Sequence, residues 1–122
     1  MNELLPPHHR SKIERALADH PELALVGAVA DRLGLECYVV GGFVRDIFLG
    51  RHSKDIDFVA VGSGIDLARA VAAELGRKAR LAVFKTYGTA QVTLRQRGLE
   101  LEFVGARRES YRRESRNPIV ED

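Results

Sequence analysis

Residues 38–61 constrain this chain more than any other stretch: Tyr-Val-Val-Gly-Gly-Phe-Val-Arg-Asp-Ile-Phe-Leu-Gly-Arg-His-Ser-Lys-Asp-Ile-Asp-Phe-Val-Ala-Val. The order reads as strand, glycine turn, short helix, loop, strand. Tyr38, Val39 and Val40 are β-formers that stop at Gly41-Gly42. Val44, Ile47 and Phe48 share one helical face, and Gly50 closes that helix. Residues 56–61 are apolar and β-branched enough for a buried strand. Asp55 and Asp57 flank Ile56 at its start. Side chains two apart on a strand share a face, so both carboxylates point one way while Ile56 and Phe58 point the other.

Two carboxylates side by side repel each other unless a cation sits between them. Mg²⁺ suits such a pair, because it takes a few carboxylate oxygens and leaves positions open for water and substrate phosphates. The Gly41-Gly42 turn opens a helix, so free backbone N–H groups and the positive dipole end face outward there, a ready phosphate cradle. Arg45 lies in the first turn of that helix and can reach the same anion. Taken singly, an Asp-x-Asp, a Gly-Gly turn and an Arg45/Asp46 surface pair are all common. Their order and spacing on these elements point to nucleotidyl transfer with two metal ions.

The rest of the chain reads as one domain of 122 residues. Residues 1–10, with Pro6-Pro7 and His8-His9, read as an irregular lead-in. Ser11 to Glu14 has the form of a capping box, and Ile13, Ala16 and Leu17 continue a short helical stripe. Pro21 suits the first turn of a second helix, with Leu23, Val26, Ala30 and Leu33 as its apolar face and Gly34 as its stop. Leu67, Ala68, Val71 and Leu75 mark a helix over 65–75. Strands are expected over 36–40, 56–61, 80–84, 89–94 and 99–104, with Arg95 to Gly98 as a hairpin turn. On the last strand Leu99, Leu101 and Phe103 face the core, so Glu100 and Glu102 face the other side. Beyond it the chain turns basic around Tyr111, with Arg107, Arg108, Arg112, Arg113 and Arg116. The net charge is only +2, so a case for nucleic acid must rest on where charge is placed rather than on its sum. The single Cys37 excludes an internal disulfide framework and reads as a core residue. No long apolar run and no signal-peptide pattern is present, which points to the cytoplasm and away from membranes.

Gly-Gly-Phe-Val-Arg-Asp-Ile-Phe-Leu-Gly-Arg followed by Lys-Asp-Ile-Asp-Phe resembles the signature of the class II tRNA nucleotidyltransferases (CCA-adding enzymes) and bacterial poly(A) polymerases, within the DNA polymerase beta superfamily. The resemblance implies an α/β (α+β) palm: a mixed, mainly antiparallel sheet of about five strands with helices on one face. It implies residues 1–34 as a helical lead-in and 35–122 as a catalytic head domain cut before the family's neck, body and tail. It implies transfer of a nucleoside monophosphate from ATP or CTP to the 3′-hydroxyl of tRNA or another RNA, as CCA addition or poly(A) tailing. Asp55, Asp57 and Glu102 would hold two Mg²⁺ ions and form the catalytic set. Leu101-Glu102-Phe103 has the apolar-acid-apolar form of the superfamily's third-carboxylate strand and precedes Ala106-Arg-Arg-Glu-Ser-Tyr111, which is similar to the family's Ala-Arg-x-Glu-x-Tyr segment. Gly41, Gly42, Arg45 and Arg107 would bind the nucleotide. Another superfamily transferase acting on a protein or small molecule, or a non-catalytic nucleotide- or RNA-binding fragment, remains as the alternative. Gly-Gly-Phe-Val-Arg-Asp argues against the first, whose members usually carry Gly-Ser.

Overall fold

A computed structural model describes residues 7–107. In chain order the elements are α1 (Pro7–Asp19), α2 (Pro21–Leu33), β1 (Glu36–Val40), α3 (Gly42–Leu49), β2 (Asp55–Val61), α4 (Gly64–Leu75), β3 (Ala79–Phe84), β4 (Thr89–Leu94) and β5 (Leu99–Ala106). The five expected strands are all present; β2 and β3 begin one residue earlier than expected and β5 runs on to Ala106. The N-terminal expectation needs correction. α1 starts at Pro7, so residues 7–10 are helical and Ser11 lies inside the helix instead of capping it. Proline lacks the N–H that a first-turn residue leaves unpaired anyway, which makes Pro7 a natural helix opener.

The strands form one sheet in the order β1-β2-β5-β4-β3. β1 with β2, β4 with β5 and β3 with β4 are antiparallel, while β2 and β5 at the centre run parallel. Helices cover one face. α4 packs across β3, β4 and β5, α3 lies on β1 and β2, α2 bridges β1 and α4, and α1 rests on α2 and α3 as an outer layer. The core sits between helices and sheet: Ile56, Phe58, Leu101, Phe103 and Val92 from the strands meet Leu67 and Val71 of α4 and Val26 and Val29 of α2. Strand alternation explains this, since every second residue of β4 (Ala90, Val92, Leu94) is buried and those between are not. Phe58 and Phe103 are register partners on β2 and β5, and their rings stack at 5.1 Å with an interplanar angle of 12°.

Two close approaches set the geometry. α4 starts hard against the end of β5: a Cβ on Gly64 would lie 2.7 Å from the Gly105 nitrogen, and one on Gly105 would lie 2.6 Å from the Gly62 oxygen. Ser63 caps α4 by accepting a hydrogen bond from the Asp66 N–H at 3.1 Å. At the opposite end of the sheet, Glu22 of α2 is 6% exposed, alone among charged residues in the buried set of the described chain. Arg97, in the turn between β4 and β5, donates to its two oxygens at 2.6 and 2.9 Å and to the Asp19 carbonyl at 3.0 Å. Burial pushes the Glu22 carboxyl up, but the Arg97 hydrogen bond and charge outweigh it and hold the group below its ordinary value.

A depressed carboxylate pKa contributes stability above the unfolded value, about 4.3 for Glu, and loses it as pH falls through the folded one. Arg97→Ala should therefore cost about 1–3 kcal/mol at neutral pH by stranding a desolvated carboxylate. Denaturant titrations of both proteins should show that gap closing below about pH 4.

Candidate active site

β1 ends at Val40, which pairs with Asp57, and the chain then turns through Gly41 into α3. Gly41 has φ 77° and ψ −145°, a conformation essentially reserved for glycine. A Cβ there would lie 3.2 Å from Asp57 Oδ2, so the turn and the carboxylate are direct neighbours. The first turn of α3 has no side-chain cap, unlike that of α4. Its N–H groups at 42–44 are left facing outward beside Asp57. Arg45 folds back over this turn: a Cβ on Gly42 would lie 3.3 Å from Arg45 Nη2. Its guanidinium is mostly exposed and, among the described residues, pairs only with Asp46 at a long 3.4 Å, a contact an incoming anion can displace at little cost.

Asp55 and Asp57 occupy alternate positions on β2 with buried Ile56 between them. Ser53 fixes the first of them, its hydroxyl donating to the Asp55 carbonyl at 2.9 Å and accepting from the Asp55 N–H at 3.3 Å. The parallel pairing sets Asp55 opposite Glu100 and Asp57 opposite Glu102. Four carboxylates therefore occupy a square on the face away from the helices, behind the stacked Phe58 and Phe103. Gln91, the β4 partner of Glu102, donates to Glu102 Oε2 at 3.4 Å.

The electrostatics are those of crowded like charges. Partial burial, then the Glu102 and Asp55 charges, push Asp57 above its ordinary value. Partial burial, then Glu100 and Asp55, do the same to Glu102, against a lowering contribution from Gln91. The all-oxygen donor set suits a hard divalent cation. The side chains share a face without converging: among the described residues no group of three or more His, Cys, Asp or Glu is gathered tightly enough to hold a metal. Mutual repulsion works against such convergence.

Of the residues singled out in the sequence, Gly41, Asp55, Asp57 and Glu102 come together, with Gly42 and Arg45 at the adjoining helix start. Arg107 does not join them. It follows β5 at the end away from Glu100, roughly 16 Å along the strand from Glu102. Tyr111 and the arginines after it lie outside the described residues. Glu100, Gln91 and Ser53 are the contributors that sequence patterning undervalued. Gln91 and Glu100 both sit at polar positions of alternating strands, but only the register reveals that they flank Glu102.

The chain as a whole is similar to known proteins. Residues 37–122 match the family described as poly A polymerase head domain. An A-adding tRNA nucleotidyltransferase from Aquifex aeolicus is 45% identical over 89 residues, covering 71% of this chain and 10% of that protein. One from Geobacter sulfurreducens is 35% identical over 121 residues, covering 94% of this chain and 13% of that protein. The chain thus spans only about a tenth of these relatives. A solved complex of a CCA-adding enzyme with ATP superposes with a TM-score of 0.68 at 30% identity, over 80% of this chain and 24% of that one. A tRNA nucleotidyltransferase bound to primer tRNA and an ATP analogue gives 0.61 at 44% identity, over 70% of this chain and 24% of that one.

Two outcomes test this geometry. Gly41→Ala should destabilise the fold by about 1–3 kcal/mol, the cost of a side chain in that backbone conformation, measured by denaturant unfolding. Asp57→Asn should behave oppositely in metal-free buffer. A raised carboxylate pKa means the charged form is disfavoured in the fold, so removing the charge should leave the melting temperature equal or higher at neutral pH. That gain should fade on acidification as the parent carboxyl protonates.

Proposed function

The chain belongs to the poly A polymerase head-domain family, and on that premise we propose that it is the catalytic unit of a template-independent RNA nucleotidyltransferase. Residues 35–122 form the catalytic head in this reading and residues 1–34 its helical lead-in. The observation that carries the reading is the register of β2 with β5, which lines up Asp55, Asp57, Glu100 and Glu102 beside an uncapped glycine-opened helix. The relatives are named for adding A or CC to tRNA, and solved neighbours hold ATP, CTP or tRNA. The substrates proposed here are accordingly ATP or CTP and an RNA 3′ end, with tRNA first. Among the described residues no helix is long and apolar enough to cross a membrane; with tRNA as substrate, the proposed setting is the cytoplasm.

In this mechanism the 3′-hydroxyl attacks the α-phosphorus of the nucleotide and pyrophosphate leaves. Asp55, Asp57 and Glu102 would hold two Mg²⁺ ions, which supply a lowered pKa at the attacking hydroxyl and neutralise charge on the triphosphate. The N–H groups at the start of α3 orient the β and γ phosphates, and Gly41 and Gly42 let the backbone approach them. Arg45 exchanges its weak contact with Asp46 for a phosphate oxygen. Glu102 would complete the first ion's site or take the hydroxyl proton. Arg107, the first residue after β5, is the cation that the family resemblance assigns to the triphosphate or primer.

Incubation with labelled ATP or CTP, Mg²⁺ and tRNA lacking its 3′ CCA should place label in the RNA. Asp55→Ala and Asp57→Ala should each lower that transfer by on the order of 10²–10³ or more. Metal and phosphate contacts are common to all four nucleotides, so calorimetry should find ATP, CTP, GTP and UTP bound within about tenfold of one another, or ~1.4 kcal/mol. Label appearing in a protein acceptor instead would sink the RNA reading.

A further inference from the structure

The carboxylate row does not use one concentrated patch of positive charge among the described residues. A cavity of about 360 Å³ opens where β3 begins and β4 ends, lined by Arg77, Lys78, Arg80, Thr93, Arg95 and Gln96 among its residues. Among the described residues no carboxylate lines it. Arg32, Arg45 and Arg97 form ion pairs, whereas among the described residues none of the cavity's four cations has one. Four uncompensated cations in one corner exceed the net charge of the entire chain, +2. Like charges held this close raise one another's energy, and an anion between them relieves it.

Register ties this corner to the acidic row. Arg80 pairs with Thr93, Thr93 with Glu100, and Glu100 with Asp55. One crosswise row of the open face therefore reads Arg80, Thr93, Glu100, Asp55. Three inter-strand steps of about 4.8 Å put Arg80 roughly 14 Å from Asp55 along the backbone plane. Sheet order supplies the direction. The glycine-opened helix lies on the β1 side of the aspartates and the basic corner on the β5-β4-β3 side. In-line displacement at phosphorus needs the attacking and leaving oxygens on opposite sides. A leaving pyrophosphate held by the start of α3 requires the attacking strand to arrive from the β5 side, across the basic corner.

We infer that the Arg77, Lys78, Arg80 and Arg95 corner is a phosphate-binding subsite for the RNA strand whose 3′ end lies at the carboxylate row. It grips backbone phosphates a few nucleotides from the reacting end, with Thr93 and Gln96 as neutral hydrogen-bonding partners. This rests on the function proposed above. Such a grip is blind to sequence and acts on register and orientation.

Fluorescence anisotropy of a short single-stranded RNA, titrated with salt, tests it on the parent chain and two double variants, Arg80→Gln/Arg95→Gln and Arg77→Gln/Lys78→Gln. These side chains are exposed, so both variants should melt with the parent. Each should bind RNA more weakly, with a log Kd–log salt slope shallower by about 1.4, roughly 0.7 per lost contact. ATP affinity should stay within about twofold. Unchanged slopes in both variants, or a parent that binds RNA without salt dependence, overturn the subsite. Loss of ATP binding in step with RNA binding also overturns it, by assigning the corner to the triphosphate. ATP binding that still requires Asp55 and Asp57 keeps the proposed function standing when the RNA arm fails.

Discussion

Everything at the site depends on the parallel contact between β2 and β5. These strands are distant in sequence, separated by α4, β3 and β4, and the chain must cross the sheet to bring them together. Once paired, Phe58 stacks on Phe103 on the buried face, and one position away Asp57 stands beside Glu102 on the open face. A slip of one residue would send the phenylalanines to solvent and the carboxylates into the core. Two fully buried aromatic rings make that slip prohibitive. Apolar packing on one side of a strand pair thus holds, at fixed spacing, charges on the other side that would otherwise move apart.

The open face is divided by charge into territories. Acid gathers at the centre on β2 and β5, helix-end N–H groups and Arg45 lie on the β1 side, and basic residues collect at the start of β3. None of this favours folding. Crowded carboxylates and an unpaired basic corner are costs that the hydrophobic layer behind them must offset, as is common where a surface is shaped for ligands instead of stability. Glu22 and Arg97 present the contrasting case, a charge pair closed on itself and used to fasten α2 to the β4-β5 turn.

The sequence made the local architecture plain and left the tertiary arrangement partly hidden. Alternation in 89–94 and 99–104 marks both strands and their facing, because one face of each is buried and the other is not. The Gly41-Gly42 turn and the Asp55/Asp57 pair were visible for a different reason: few other functions call for those residues in that order. Glu100 was underweighted, since a lone acid on a polar strand face gives no hint of what lies across from it. The basic corner carried no such signal, since Arg95 joins Arg77, Lys78 and Arg80 only once β3 and β4 pair. Helix α1 was misjudged at its start because the Ser11 capping pattern competes with a proline that opens a helix equally well.

The contact between Gly64 and Gly105 bears on how this chain tolerates drift. Neither residue touches the open face, yet even a methyl group at either would press against backbone atoms of the other element. Backbone cannot swing aside as a flexible side chain can, so compensating changes nearby would be scarce. A saturation survey would consequently rank these two glycines alongside the aspartates among the least replaceable positions. Intolerance to change in this fold is therefore two properties sharing one appearance, a chemical requirement at one end of the central strands and a purely spatial one at the other.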